Sequence, residues 1–252
     1  MGTIDPATGR VTRGWPSLAR LIVVLMAGAV LSMLVMGPQA WNAARTAAGS
    51  AACRNNIHQI GLALESYHEA WGRFPPAYLA DEHGRPMHSW RVLILPYLEQ
   101  YDLYTSYNFA QPWDGPGNRP LVDRMPGVYA CLNRHPDQRK SLTSYAAITG
   151  EGTAFPGDRS TDRAAIRDGT STTLMLGEVA DVAIPWTAPW DIDASALGDP
   201  SRPGMSTRDP GGPVVMFADG RYRRLVEPLS PATLRALSSI DGGEPIDPEI
   251  LP

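Results

Sequence analysis

The sequence predicts an α+β protein in which a long N-terminal helix, half membrane-spanning and half amphipathic, packs on a mainly antiparallel β-sheet with long loops. Two observations carry this prediction. An apolar run at Leu21–Met36 leads into apolar residues at helical spacing as far as Trp71. Near the C-terminus, Asp219-Gly220 separates two β-rich runs, and this dipeptide is typical of a hairpin turn.

The apolar run has no charged residue, and Ser32 is its only polar side chain. As a helix, the run and its flanks would cross most of a hydrocarbon core, which takes about 20 residues. We therefore expect a transmembrane helix over residues 21–37. Arginines in residues 1–20 favour a cytoplasmic N-terminus. The expected organisation is a cytoplasmic segment (1–20), the transmembrane helix (21–37) and an extracytoplasmic domain (38–252), in a single-pass protein of the cytoplasmic membrane.

Three fates of this N-terminus compete: a retained anchor, a cleaved secretory signal and a lipoprotein signal. The stretch Gly37-Pro38-Gln39-Ala40 is a mediocre match to a signal cleavage site. The stretch Ser50-Ala51-Ala52-Cys53 lacks the leucine of a lipidation site and lies far from the apolar run. The retained anchor is the preferred interpretation.

Residues 38–71 continue the helix with an amphipathic pattern, as part of the extracytoplasmic domain. The apolar face of this half comprises Ile57, Ile60, Leu64, Tyr67 and Trp71. Pro38 is expected to kink or interrupt the helix, because proline lacks a donor and clashes with the preceding turn. Gly72 and Pro75-Pro76 are expected to end it.

Composition limits the class of protein. The net charge of −4 over 252 residues argues against a nucleic-acid partner. Glycine and proline number 24 each, which predicts a folded domain with long ordered loops rather than disorder. Cys53 and Cys131 both follow the apolar run, so they are expected to pair if their compartment is oxidising and otherwise to be two buried thiols.

The rest of the chain predicts a second helical region and a sheet. His88–Phe109 fits either a buried strand or two short helices, and Ser89 as a cap with Pro96 in a first turn favours helices. Residues 184–213 form a long loop, and a short helix is predicted at Pro231–Ser239. The β-like runs are 128–132, 145–148, 172–179, 214–217 and 222–226.

Several blocks of the chain together indicate a family resemblance. They run in order from about Cys53 to Glu244 and include CRNNIHQIGLALESYHEAWGRFPP, SWRVLILPYLEQYDLY, DGTSTTLMLGE and GGPVVMFADGRYRRL. In these blocks the chain resembles the pilin-like, pseudopilin-type proteins of unknown function that are abundant in planctomycete-type bacteria. The resemblance implies a long N-terminal helix on an antiparallel sheet and a role related to type II secretion-like machinery.

The chain departs from that family at two places. Arg13-Gly14-Trp15 mimics a prepilin cleavage point, but Ala19 stands where the family has the glutamate that neutralises a neighbouring subunit's N-terminus. Entry into a filament would then leave a buried charge unpaired. Many family members also carry a histidine ahead of the hairpin, at the place of Asp209 here.

Motifs for catalysis or cofactor binding are not found in the sequence. The five histidines lack metal-protease spacing, and His83 and His88 are interpreted as residues of a polar loop. Neither a nucleophile elbow nor a phosphate loop occurs. Asp191 and Asp193 are weak candidates for calcium ligands, with a solvated acidic loop as the simpler alternative. No cofactor is predicted.

Tryptophans in the long loop suggest a recognition surface. Trp186 and Trp190, with Trp113 elsewhere in the chain, lie beside proline and aspartate, and aromatic residues are enriched at binding surfaces. More commonly such residues hold a loop onto its domain. Both interpretations remain open at this point.

Three functions follow from these observations. The leading hypothesis is a non-enzymatic, membrane-anchored pilin-like structural or assembly protein, with the membrane and pilin-like or secretion-apparatus proteins as partners. The alternative is an extracytoplasmic binding module for glycan or protein on a pilin-like scaffold. A membrane-anchored hydrolase is the third, and it requires an acid, base or nucleophile constellation in a pocket.

Overall fold

The protein combines a long helix with a mainly antiparallel sheet, which confirms the predicted α+β class. The computed structural model describes residues 3–4, 11–12, 17–132, 140–199, 201–202, 204–209, 211–225 and 229–247, apart from a few helix side chains between positions 29 and 37. The chain divides into two compact units, a first unit of residues 1–47 and a second unit of residues 48–252.

Helix α1 spans Ser17–Trp71. It continues past Pro38, so of the two predicted effects of this proline the interruption is wrong and the kink stays a prediction. A proline removes a single donor from the helical ladder, and a helix of 55 residues keeps its remaining hydrogen bonds. Gly72 ends the helix as predicted, with φ of +70° and its N–H donating to the His68 carbonyl at 2.8 Å.

In the first unit, strands β1 (Thr3–Ile4) and β2 (Val11–Thr12) form a short antiparallel pair that was not predicted. Large apolar side chains of α1 between Leu21 and Met36 are exposed by 51–69%. Within the part of the chain that the structure describes, no helix has both the length and the apolarity needed to cross a membrane.

The second unit begins with the amphipathic half of α1 and continues with a hairpin of β3 (Tyr78–Ala80) and β4 (Pro86–Ser89), which the sequence did not predict. The ambiguous segment that follows is helical, with α2 at Trp90–Leu93, a 3₁₀ turn at Leu95–Leu98 and α3 at Tyr101–Ser106. The Ser89 side chain caps α2 by accepting from the Arg91 N–H at 3.2 Å, and Pro96 lies in the first turn of the next element, both as predicted.

The main sheet has five strands in the order β7-β5-β6-β8-β9. Its neighbours are antiparallel except for β5 and β7, which pair in parallel. The strands are β5 (Tyr145–Thr149), β6 (Leu174–Glu178), β7 (Ile192–Asp193), β8 (Val214–Phe217) and β9 (Tyr222–Arg224). The strand predicted at 128–132 is wrong, because a 3₁₀ turn at Gly127–Tyr129 occupies its start.

The predicted hairpin turn is present at Asp219-Gly220. The Phe217 N–H donates to the Arg221 carbonyl at 2.8 Å, and Gly220 has φ of +79°, a conformation that glycine adopts without steric cost. Helix α4 (Pro231–Ser238) also follows the prediction, with Ser230 Oγ accepting from the Thr233 N–H at 3.0 Å.

Both faces of the sheet are covered. Alternate residues of β5 and β8 point to opposite sides, so Tyr145 and Met216 join a core that includes Ile60 of α1, and Ile148 joins the core that includes Leu237 of α4. Helix α1 lies close to the sheet, since a Cβ built at Gly61 would be 2.7 Å from the Met216 sulfur. A larger residue at position 61 would therefore require the Met216 side chain to move.

Candidate functional site

The two predicted loop tryptophans have different environments. Trp186 is fully buried, its ring stacks on Tyr129 with centroids 6.0 Å apart, and its Nε1–H donates to the Val122 carbonyl at 3.0 Å. A buried ring cannot contact a ligand at the surface, so Trp186 is a core residue and not part of the predicted binding surface. Trp190 is 51% exposed and remains a surface residue.

Trp190 pairs with an aromatic residue from another segment. Its ring meets Trp113 edge to face, with centroids 5.3 Å apart. Beside Trp113 lies an open cavity of about 450 Å³ lined by Trp113, Asp114, Arg119, Val122 and Asp123. We call Trp190 and these lining residues the indole cleft.

The loop that carries Trp113 is held rigidly. Asn118 is fully buried, and its Nδ2 donates to the carbonyls of Asn108, Gln111 and Pro112 at 2.9–3.0 Å, while its Oδ1 accepts from the Asn108 N–H at 2.8 Å. The Trp113 N–H donates to the carbonyl of Met87 in β4 at 3.0 Å. The cleft is thus built from ordered backbone.

Asp191 is part of a buried ion pair. Its Oδ1 accepts from Arg91 Nη2 at 2.6 Å, from the Ala147 N–H at 2.7 Å and from Trp90 Nε1 at 3.2 Å. Burial raises the pKa of Asp191, and the Arg91 guanidinium with these donors opposes that shift. With its Oδ1 bonded to three donors, Asp191 anchors the loop to the packed core.

Asp193 also has a structural partner. Its Oδ1 accepts from the Ser195 N–H at 2.7 Å and caps a 3₁₀ turn at Ala194–Ala196. The Ser195 hydroxyl and this N–H, as hydrogen-bond donors, together lower the pKa of Asp193 against the effect of burial. In the described ranges, Asp191 and Asp193 do not form a cluster of metal ligands, so the weak calcium assignment gains no geometric support.

The prediction that His88 lies in a polar loop is wrong, because His88 belongs to the packed part of the second unit. It is buried in β4, where Nε2–H donates to the Phe109 carbonyl at 3.1 Å and Nδ1 lies 3.0 Å from the Tyr107 hydroxyl. Since a carbonyl only accepts, Nε2 carries a proton, and in the neutral ring Nδ1 then accepts from the Tyr107 hydroxyl. Burial lowers the pKa of His88.

Cys53 and Cys131 form a disulfide with Cα atoms 4.9 Å apart. Of the two predicted states, paired or two buried thiols, the structure has the pair. The bridge joins α1 to the segment before β5. Both cysteines are 1% exposed. A carboxylate oxygen of Glu178 and the two sulfurs all lie within 4.8 Å of one another.

Glu178 is a buried acid that the sequence analysis did not single out. It is 2% exposed, accepts from the Val214 N–H at 3.2 Å and from the Thr207 hydroxyl, and lies near the charges of Arg224 and Asp209. Burial raises the pKa of Glu178, against the opposing effects of the two hydrogen bonds and Arg224. In the sequence, Glu178 was visible only as the residue after Gly177 near the end of the predicted strand 172–179.

Asp209 completes this polar group. It accepts from Ser50 Oγ of α1, from the Gly211 N–H at 2.9 Å and from Arg224 Nη2 at 2.8 Å. Burial raises the pKa of Asp209, but these donors and the Arg224 charge outweigh it, so the net shift is downward. Asp209 therefore ties the helix to the β8–β9 edge as a carboxylate.

The buried Glu178 predicts a pH dependence of stability. The folded protein holds the Glu178 proton more tightly than the unfolded chain, so the free energy of unfolding should fall as the pH rises above the ordinary pKa of 4.5. The fall is at most about 1.4 kcal/mol per pH unit and ends above the folded-state pKa. Urea unfolding across about pH 4 to 8 measures it.

Two variants isolate this effect. Glu178→Gln should flatten the decline, because the amide accepts the Val214 hydrogen bond without a charge. Glu69→Gln changes an exposed glutamate of α1 and should leave the wild-type slope intact. Equal slopes for wild type and Glu178→Gln would contradict the assignment.

A second cavity is mostly apolar. It measures about 810 Å³ and lies between the segment 181–206 and the residues before and in α4. Its apolar lining includes Val182, Leu197, Met205, Leu225 and Leu234. Nothing on its surface identifies an occupant.

Comparison with known proteins gives one match. The profile of a family described as "Protein of unknown function (DUF1559)" matches residues 42–155, from α1 through β5 to Phe155. The chain is similar to that family over this part, which overlaps the N-terminal blocks of the predicted resemblance. No curated protein and no solved structure matches significantly.

Proposed function

We propose that the protein is a non-enzymatic, membrane-anchored, pilin-like structural or assembly protein whose second unit lies outside the cytoplasm. The observation that carries the proposal is the apolar half of α1. Those of its large side chains between Leu21 and Met36 that the structure describes are exposed by 51–69%. Leaving such surface in water costs roughly 25 cal/mol per Å², so lipid or another apolar partner is its favourable environment.

The disulfide supports the proposed compartment. Bridges such as Cys53–Cys131 persist where the environment is oxidising and are rare in the cytosol. With the second unit outside, the arginines of residues 1–20 stay on the cytoplasmic side, in line with the positive-inside rule. Ala19, in place of the family's glutamate, favours an anchor over a subunit of a filament.

The polar groups of the second unit favour a structural role over catalysis. The buried acids Asp191, Glu178 and Asp209 each accept hydrogen bonds from the fold itself. A general acid or base has to reach a substrate proton. These three carboxylates instead tie together segments that are distant in sequence.

Alkaline carbonate extraction of membranes tests the anchor. We expect the full chain to stay in the pellet and Leu25→Asp to move into the supernatant, because a carboxylate in an apolar membrane segment costs about 2.5–3.5 kcal/mol. Leu62→Asp alters a comparably exposed leucine of the second unit, 54% against 64%, and should stay in the pellet. Wild type in the soluble fraction would overturn the proposal.

A second candidate function is an extracytoplasmic binding module. The exposed Trp190, packed on Trp113 beside an open cavity, supports it. Such a module could share the anchor, so the two functions differ in whether the second unit has a ligand of its own.

A further inference from the structure

The charged residues of the indole cleft lack side-chain partners among the described residues. In the part of the chain that the structure describes, the side chains of Asp114, Arg119 and Asp123 form neither a hydrogen bond nor an ion pair, although all three line one cavity. The other charges around the second unit commonly do pair, as Asp81 does with Arg85 and Asp241 with Arg167. The cleft thus offers free acceptors and free donors at one place.

The chemistry of these groups points to a neutral, hydroxyl-rich ligand. Carboxylates only accept hydrogen bonds and a guanidinium only donates them, so together they match neighbouring hydroxyl groups, which do both. Asp114 and Asp123 disfavour an anion, and the positive charge of Arg119 offsets part of their attraction for a cation. The indole of Trp190 adds an apolar face suited to the C–H face of a sugar ring.

The cleft is also pre-organised. Asn118 fixes the loop that presents Trp113, and Trp186 holds the Val122 carbonyl. On the other side, Trp190 precedes Asp191, whose carboxylate is bound to the buried Arg91. A binding site built on rigid segments loses little conformational entropy when it is occupied.

We propose that the indole cleft of Trp190, Trp113, Asp114, Arg119 and Asp123 binds a neutral oligosaccharide. This inference rests on the second candidate function and names its ligand class. It does not depend on the membrane anchor.

Titration with neutral oligosaccharides tests the proposal. The full chain, kept in a detergent without a sugar headgroup, is mixed with cellohexaose, chitohexaose, maltohexaose and mannohexaose while tryptophan fluorescence is followed. We expect saturable binding of at least one of them. Trp190→Ala should weaken that binding about tenfold or more, and Asp123→Asn should weaken it as well.

The control is Trp71→Ala, which removes another exposed tryptophan of the second unit, 63% exposed, and should bind as wild type does. Circular dichroism checks that each variant is folded. Absence of binding by wild type to all four sugars, or equal binding by wild type and Trp190→Ala, would overturn the proposal. A photoreactive residue placed at position 119 gives a further outcome. If it cross-links to a protein and none of the sugars binds, the sugar ligand is wrong, but the second unit is still a binding module.

Discussion

Replacing Asp191 with alanine is expected to lower the free energy of unfolding by about 3–5 kcal/mol. The Arg91 guanidinium is fully buried, and Asp191 is the carboxylate that neutralises it at 2.6 Å. Loss of Asp191 leaves that charge in a medium of low polarity and also removes the acceptor of the Trp90 and Ala147 donors. Urea unfolding followed by fluorescence measures the difference.

Asp241→Ala is the matched control. Asp241 pairs with Arg167 at 2.9 Å, but both side chains are more than half exposed, and exposed pairs contribute at most about 1 kcal/mol to the free energy of unfolding.

The double variant Arg91→Met with Asp191→Leu should recover part of the stability that Asp191→Ala loses, because it removes both charges. The Tyr145 carbonyl then loses its guanidinium donors, so the recovery is incomplete. A loss below 1 kcal/mol for Asp191→Ala would show that the guanidinium is hydrated.

Local sequence patterns were sufficient for the elements whose cause is local. The apolar spacing before Trp71, the left-handed glycine at position 72 and the Ser230 cap each involve neighbours within one or two helical turns. The Asp219-Gly220 turn is similarly local. Such features depend on backbone preferences that the residue types themselves carry.

Features set by distant contacts were not predictable. The Trp90–Asp191 hydrogen bond joins residues 101 positions apart, and the Ser50–Asp209 bond spans 159 positions. Asp191 looked like a loop acid because nothing near it in sequence signals Arg91. For the same reason Trp186 and Trp190 could not be told apart, since the burial of Trp186 depends on Tyr129 and Val122.

In the candidate site, too, some features could be predicted from local sequence and others depend on distant contacts. Trp190 was one of two loop tryptophans considered either for a binding surface or for holding the loop to its domain, and Trp113 was noted as a similar residue. Their pairing and the cavity lined by Asp114, Arg119 and Asp123 arise only when the segment 108–123 folds around Asn118. The sequence did contain a hint of the role of Asn118, because asparagine in a turn-rich segment commonly forms hydrogen bonds with nearby backbone.

Removing the disulfide is expected to lower the free energy of unfolding by about 4 kcal/mol. Cys53 and Cys131 are 78 positions apart, so the bridge restricts a long loop of the unfolded chain. The variant with both cysteines changed to alanine should unfold at a lower urea concentration than the oxidised wild type. Cys131→Ala alone should lose a similar amount, because a buried Cys53 thiol packs as a small apolar group.

Reduction separates the bridge from the packing of the two side chains. Reductant should lower the stability of wild type and leave Cys131→Ala unchanged, and a wild type insensitive to reductant would contradict a formed bridge. The reaction should be slow in the folded state, since both cysteines are 1% exposed and the nearby Glu178 carboxylate opposes an attacking thiolate. Urea below the unfolding midpoint should therefore accelerate reduction, because thiolates reach the sulfurs mainly when α1 separates from the segment of Cys131.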